Sequence, residues 1–133
     1  MGVIFDTSIL IGLERTTSKL EAWIRGREKE PFGISAVTAS EMLHGVHRAG
    51  SVKRRIVREA FVERILEVFP VYPFDLAAAR IYARIWSHLA EKGKIVGTHD
   101  LLIAATCMSL GFSLATLDIK DYGRIEGLSL VDL

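Results

Sequence analysis

The chain has 133 residues, of which 50% are hydrophobic and 25% charged; this suits one compact domain, residues 1–133, with a buried core and excludes a disordered or collagen-like chain. Seventeen basic and sixteen acidic residues leave a net charge of +1, so no bulk field draws the protein to nucleic acid, and such a partner must be met by a local patch. The one cysteine, Cys107, rules out an internal disulfide or a cysteine-based zinc cage and suits a reducing cytosol.

Met1 to Leu13 is apolar but lacks a basic flank and contains Asp6, which makes it a poor signal peptide. It reads as a first strand, Val3 to Phe5, followed by a helix near Ile9. Leu20, Trp23 and Ile24 mark the stripe of a helix, and Phe32 to Val37 a second strand. Val52, Ile56, Ala60 and Phe61 form another stripe, and Phe69 to Tyr72 a strand that Pro70 places at a sheet edge. Leu76, Ala79, Ala83, Trp86 and Ala90 give a third stripe, and Cys107 and Met108 belong to an apolar helix read as core. Strands at Ser113 to Leu117 and Leu128 to Val131 complete the pattern. Strands alternating with helices predict a three-layer α/β/α fold around a mainly parallel sheet. No uncharged apolar stretch reaches the roughly 18 residues of a membrane span, so the protein is expected to be soluble. The absence of a glycine-rich phosphate loop removes the usual support for nucleotide binding.

The acids divide into 10 glutamates and 6 aspartates. Glu59, Glu63 and Glu67 fall on a helix face expected to be solvated. Asp6 ends the first strand, Asp100 opens an apolar helix, and Asp118 and Asp121 follow a later strand. Glu41 is expected to start the helix after the second strand. In an open parallel sheet the carboxyl ends of the strands share one edge, so these five acids should converge there. Close carboxylates repel, and oxygen-rich clusters relieve this by binding Mg²⁺ or Mn²⁺. Plainer roles stand beside that one: Asp6 as a helix cap, Glu41 in a capping box with Thr38, Asp100 as a favourable charge in a first helical turn, and Asp118 and Asp121 as turn braces.

Glu41, His44 and His47 at i, i+3 spacing offer half of a di-iron motif, but no second Glu-x-x-His exists. His88 and His99 read as surface or hydrogen-bonded histidines. Lys53, Arg54, Arg55 and Arg58 gather on one helix, as a solvated face or as a contact for phosphates or an acidic partner peptide.

Four segments resemble the PIN-domain ribonucleases, in particular the VapC-type toxins of prokaryotic toxin–antitoxin systems. They are Phe5-Asp6-Thr7-Ser8-Ile9-Leu10, Ser40-Glu41-Met42-Leu43-His44-Gly45, Asp100-Leu101-Leu102-Ile103-Ala104-Ala105, and Ala115-Thr116-Leu117-Asp118-Ile119-Lys120-Asp121-Tyr122. Their order and the separations of 35, 59 and 18 residues between successive acids are family-like. The resemblance implies an acidic quartet of Asp6, Glu41, Asp100 and Asp118, with Asp6 and Asp100 as direct metal ligands and Ser8 and Thr116 as supporting hydroxyls. Many relatives carry asparagine at the place of Asp118, and aspartate followed by phenylalanine at Asp121. Here both positions are acidic and Tyr122 follows, which leaves open whether Asp118 or Asp121 completes the set. The implied activity is cytoplasmic, Mg²⁺-dependent (or Mn²⁺-dependent) hydrolysis of RNA, tRNA among the substrates, by metal-activated water that leaves a 5′ phosphate and a 3′ hydroxyl. A homodimer and a VapB-like antitoxin are the implied partners. Two other readings differ in kind. One is a phosphatase with Asp6 as nucleophile, in which Ser8 stands where a second aspartate is needed; the other is a non-catalytic PIN-like module that binds RNA or protein.

Overall fold

The computed structural model describes residues 2–13, 22 and 24–131. Its elements are β1 (Val3–Phe5), α1 (Thr7–Leu13), β2 (Phe32–Ser35), α2 (Ala36–His47), α3 (Val52–Val68), β3 (Val71–Tyr72), α4 (Leu76–Glu91), α5 (Thr98–Leu110), β4 (Ser113–Ala115), α6 (Ile119–Tyr122) and β5 (Leu130–Val131). The strands form one sheet in the order β3-β2-β1-β4-β5, and every pairing is parallel.

β1 and β4 are buried throughout, as central parallel strands are when helices cover both faces. Alternation along β1 divides the core. Val3 and Phe5 join Leu10, Ile34, Met42, Val62, Ile65 and Phe69 on one face. Ile4 joins Ile85, Leu89, Leu101, Ile103 and Leu114 on the other. This is the expected α/β/α sandwich. β3 is the edge strand that Pro70 predicted, and the Pro70 carbonyl accepts the Ile34 amide at 2.9 Å. β2 approaches it so closely at Gly33 that a Cβ there would lie 2.4 Å from the same carbonyl oxygen.

Local chemistry sets the helix ends. Ser35 stops β2 and caps α2, accepting the Thr38 amide at 3.0 Å. The second strand therefore ends two residues before the expected Val37, and Glu41 lies in the second turn of α2 rather than at its start. Its capping-box role is replaced by Ser35. Asp75 caps α4 through the Ala78 amide. Gly111, at φ 70°, closes α5 in the left-handed conformation that glycine adopts without strain.

Two of the predicted stripes face solvent rather than the core. Val52 to Ala60, the first half of α3, is exposed at every position, Ile56 included, and Phe61 is half-buried; Val62 and Ile65 carry the packing. On α4, Leu76, Ala83, Trp86 and Ala90 face solvent and Ala79 is half-buried, while Ala78, Ile85 and Leu89 pack along α5. Both sets on α4 have helical spacing, so the position of α5 decides which one is core. Leu20 and Trp23 lie outside the described residues, and Ile24 packs against the first core cluster. Cys107 is buried, as expected.

Candidate metal centre

From β1 the chain moves outward to β2 and β3, then crosses back to place β4 on the other side of β1. Ligand sites of open parallel sheets form outside the carboxyl ends of the strands at such a reversal. Asp6 follows β1 there, and its amide donates to the Ala115 carbonyl at the end of β4 at 2.9 Å.

Asp6 is buried, with 7% exposure, and hydroxyls surround its carboxylate. Ser8 Oγ and Thr116 Oγ1 donate to Oδ2 at 3.0 and 2.8 Å. Each of these hydroxyls is itself oriented by a backbone amide: Leu117 N–H donates to Ser8 Oγ at 3.1 Å, and Asp118 N–H to Thr116 Oγ1 at 3.0 Å. Their protons therefore point at Asp6. Tyr122 Oη donates to Asp6 Oδ1 at 3.4 Å and to Asp100 Oδ1 at 3.1 Å, one proton shared by two carboxylates. Asp6 thus begins α1 through its main chain, its carbonyl accepting the Ile9 amide, while its carboxylate turns into the site.

Asp100, in the first turn of α5, offers an oxygen within 4.8 Å of oxygens from Asp118 and Asp121. Asp118 also caps α6, accepting the Asp121 amide at 3.3 Å, so it fills its plainer role and joins the cluster as well. Burial pushes the Asp100 carboxyl above the usual carboxylate range, and the charges of Asp6, Asp118 and Asp121 add to this; the Tyr122 hydrogen bond opposes it. Burial and the charges of Asp6 and Asp100 hold the Tyr122 phenol far above its ordinary value, so it remains a neutral donor. Arg124, 3.9 Å from Asp121, is the one basic side chain within ion-pair distance of these four aspartates among the described residues. The site is a set of hard oxygen donors with too little counter-charge, which is what a small divalent cation requires.

Glu41 stands beside this group. Thr7 Oγ1 donates to Oε1 at 2.9 Å, and His99 Nδ1 lies 3.5 Å from Oε2. These partners adjoin Asp6 and Asp100 in sequence and tie α2 to the acidic edge. Glu41 also lines a cavity of about 160 Å³ with Ile11, Met42, Arg58 and Phe61. Arg58 Nη1 donates to the Gly45 carbonyl at 3.3 Å, and with Lys53 and Arg54 it borders a second, open hollow on α3. Lys53, Arg54, Arg55 and Arg58 are all exposed. His44 and His47 are exposed and join no cluster of possible metal ligands among the described residues. His88 pairs with Glu126 at 3.1 Å on the surface.

His99 is the exposed, hydrogen-bonded histidine the sequence predicted, but its partner Glu41 was missed, as were the roles of Tyr122 and Thr7. His99, Tyr122 and Thr7 are each next to a predicted acid, and that adjacency was the available signal. Which neighbour turns inward depends on helix geometry that spacing alone does not give.

The PIN domain family model matches residues 3–127, nearly the whole described chain. The chain belongs to the PIN-domain family. Ribonuclease VapC1 of Rickettsia felis is 40% identical over 131 residues, covering 98% of this chain and 96% of that protein. The tRNA(fMet)-specific endonuclease VapC of Shigella flexneri is 34% identical over 100 residues, 74% of this chain and 73% of that protein. Among solved structures, VapBC-5 of Mycobacterium tuberculosis, a member of the VapBC family of toxin–antitoxin systems, has a TM-score of 0.76 at 30% identity and covers 98% of this chain and 95% of that one. Within the PIN domains, this chain is therefore of the VapC type.

Proposed function

We propose that this protein is a divalent-metal-dependent endoribonuclease and the toxin of a VapBC-type toxin–antitoxin pair. One observation carries the reading: Asp100, Asp118 and Asp121 meet within 4.8 Å, and Tyr122 links Asp6 to them, at the strand reversal where little positive charge balances them. The names of the relatives, ribonuclease and tRNA-specific endonuclease, support RNA as the substrate class. Asp6 and Asp100 are the proposed direct ligands, with Asp118 and Asp121 completing the set. Mg²⁺ or Mn²⁺ held there would neutralise the scissile phosphate and acidify the attacking water.

The protein's own groups prepare that chemistry. Ser8 and Thr116 fix Asp6 from the Oδ2 side, so Oδ1 faces the other acids. Thr7 holds Glu41 Oε1 and His99 lies against Oε2, so the two fix this carboxylate beside the acidic group. Arg58, with Lys53, Arg54 and Arg55 beyond it, supplies positive charge along the approach for the RNA backbone. The toxin–antitoxin neighbour supports a VapB-like antitoxin as the partner. A single-domain chain acting as a cytoplasmic homodimer belongs to the same reading.

The test is cleavage of tRNA and of unstructured RNA by purified protein. Mg²⁺ or Mn²⁺ should support cutting and EDTA should stop it. Asp6→Asn should lower the rate by on the order of 100-fold or more. Undiminished cleavage by Asp6→Asn would overturn the carboxylate mechanism, and RNA retention without cutting under any metal would favour the binding-module reading.

A further inference from the structure

Asp6 and Asp100 reach the site from separate elements, the end of β1 and the first turn of α5. Tyr122 is the one side chain hydrogen-bonded to both among the described residues, with its hydroxyl 3.1 Å from Asp100 Oδ1 and 3.4 Å from Asp6 Oδ1. Its ring is 1% exposed and packs into the core cluster of Ile4, Ile103 and Leu114, so the hydroxyl cannot swing away. The two acids depend on it unequally. Ser8 and Thr116 also hold Asp6, whereas among the described residues Tyr122 is the only hydrogen-bond partner of the Asp100 carboxylate. Without that donor, the neighbouring Asp6, Asp118 and Asp121 charges would turn Asp100 toward solvent, into another side-chain rotamer.

We infer that Tyr122 is a positioning residue for the metal centre: its hydroxyl holds Asp100 against Asp6, so that both carboxylates present oxygens to one cation before it arrives. This rests on the metal-nuclease reading above. Donors that orient a ligand from behind typically change metal affinity by roughly 10- to 100-fold when removed. Tyr122→Phe deletes one oxygen and keeps the buried ring.

The experiment is calorimetric titration of Mn²⁺ into the wild-type protein, Tyr122→Phe, Asp100→Asn and the double variant, with circular dichroism to confirm folding. Tyr122→Phe should bind Mn²⁺ about tenfold or more weakly. In the Asp100→Asn background the same change should alter affinity by less than about twofold, because its target is already altered. A loss of packing alone would not give that coupling. Tyr122→Phe binding within about twofold of wild type would overturn the inference while leaving the metal site standing. A wild-type protein that binds no Mn²⁺ would overturn both. Should Tyr122→Phe fail to fold, the wild-type Tyr122 hydroxyl proton can be followed by NMR. It should be protected in metal-free protein and shift on addition of Mg²⁺, and an unmoved resonance would overturn the proposal.

Discussion

Asp6 and Asp100 bring the same functional group to the same place but have different surroundings. Asp6 is met by three hydroxyls. Asp100 has one, and burial followed by the charges of Asp6, Asp118 and Asp121 raises its pKa above the ordinary 3.8. A carboxyl with a raised folded-state pKa binds its proton more readily in the native state than in the unfolded chain. Its contribution to stability is present near and below pH 3.8 and is lost as the pH rises through the folded value. In a chelating buffer at pH 7, Asp100→Asn should therefore melt higher than wild type, although it removes a proposed ligand. The advantage should shrink as the pH is lowered toward 3.8. Scanning calorimetry across that range decides the matter, and a gap that widened on acidification would contradict the account.

α3 shows how little an apolar pattern says about a helix's place until its neighbours are known. Ile56 and Ile65 are the same residue on the same helix, yet Ile56 is 62% exposed and Ile65 is 6% exposed against the β1–β2 face of the sheet. Ile65→Ala should cost about 2–5 kcal/mol through lost burial and the cavity left behind. Ile56→Ala should stay within about 0.5 kcal/mol, since alanine is also the better helix former. Urea denaturation of the two variants provides the comparison; similar losses would mean that the outer half of α3 packs against something in solution. The exposed half also carries Lys53, Arg54, Arg55 and Arg58, so it presents both apolar and basic groups to solvent.

At the level of the whole molecule, the acidic cluster exists only when the sheet is assembled. β1 supplies Asp6, α5 supplies Asp100, and the segment after β4 supplies Asp118, Asp121 and Tyr122. An unfolded chain scatters these groups, so a divalent cation should bind the native state almost alone. Mg²⁺ at about 100 times its dissociation constant would then add about 2.7 kcal/mol of stability. The thermal midpoint should rise with Mg²⁺ in the wild type and much less in Asp6→Asn. A midpoint indifferent to millimolar Mg²⁺ would count against a formed site.

Period and punctuation along the chain determined the layered α/β/α architecture, the edge position of the strand after Pro70 and the junction positions of the acids. These follow from short-range rules: strands buried on both faces read as apolar runs, Asp6 directly follows β1, and Asp118 and Asp121 lie at the cap and first turn of the short helix after β4. Tertiary structure alone decided which stripe of α4 became core and that Tyr122 turns its hydroxyl between two carboxylates. Each of these depends on what lies across the fold, and helical periodicity, which repeats equally well on several faces, cannot encode the position of a neighbour.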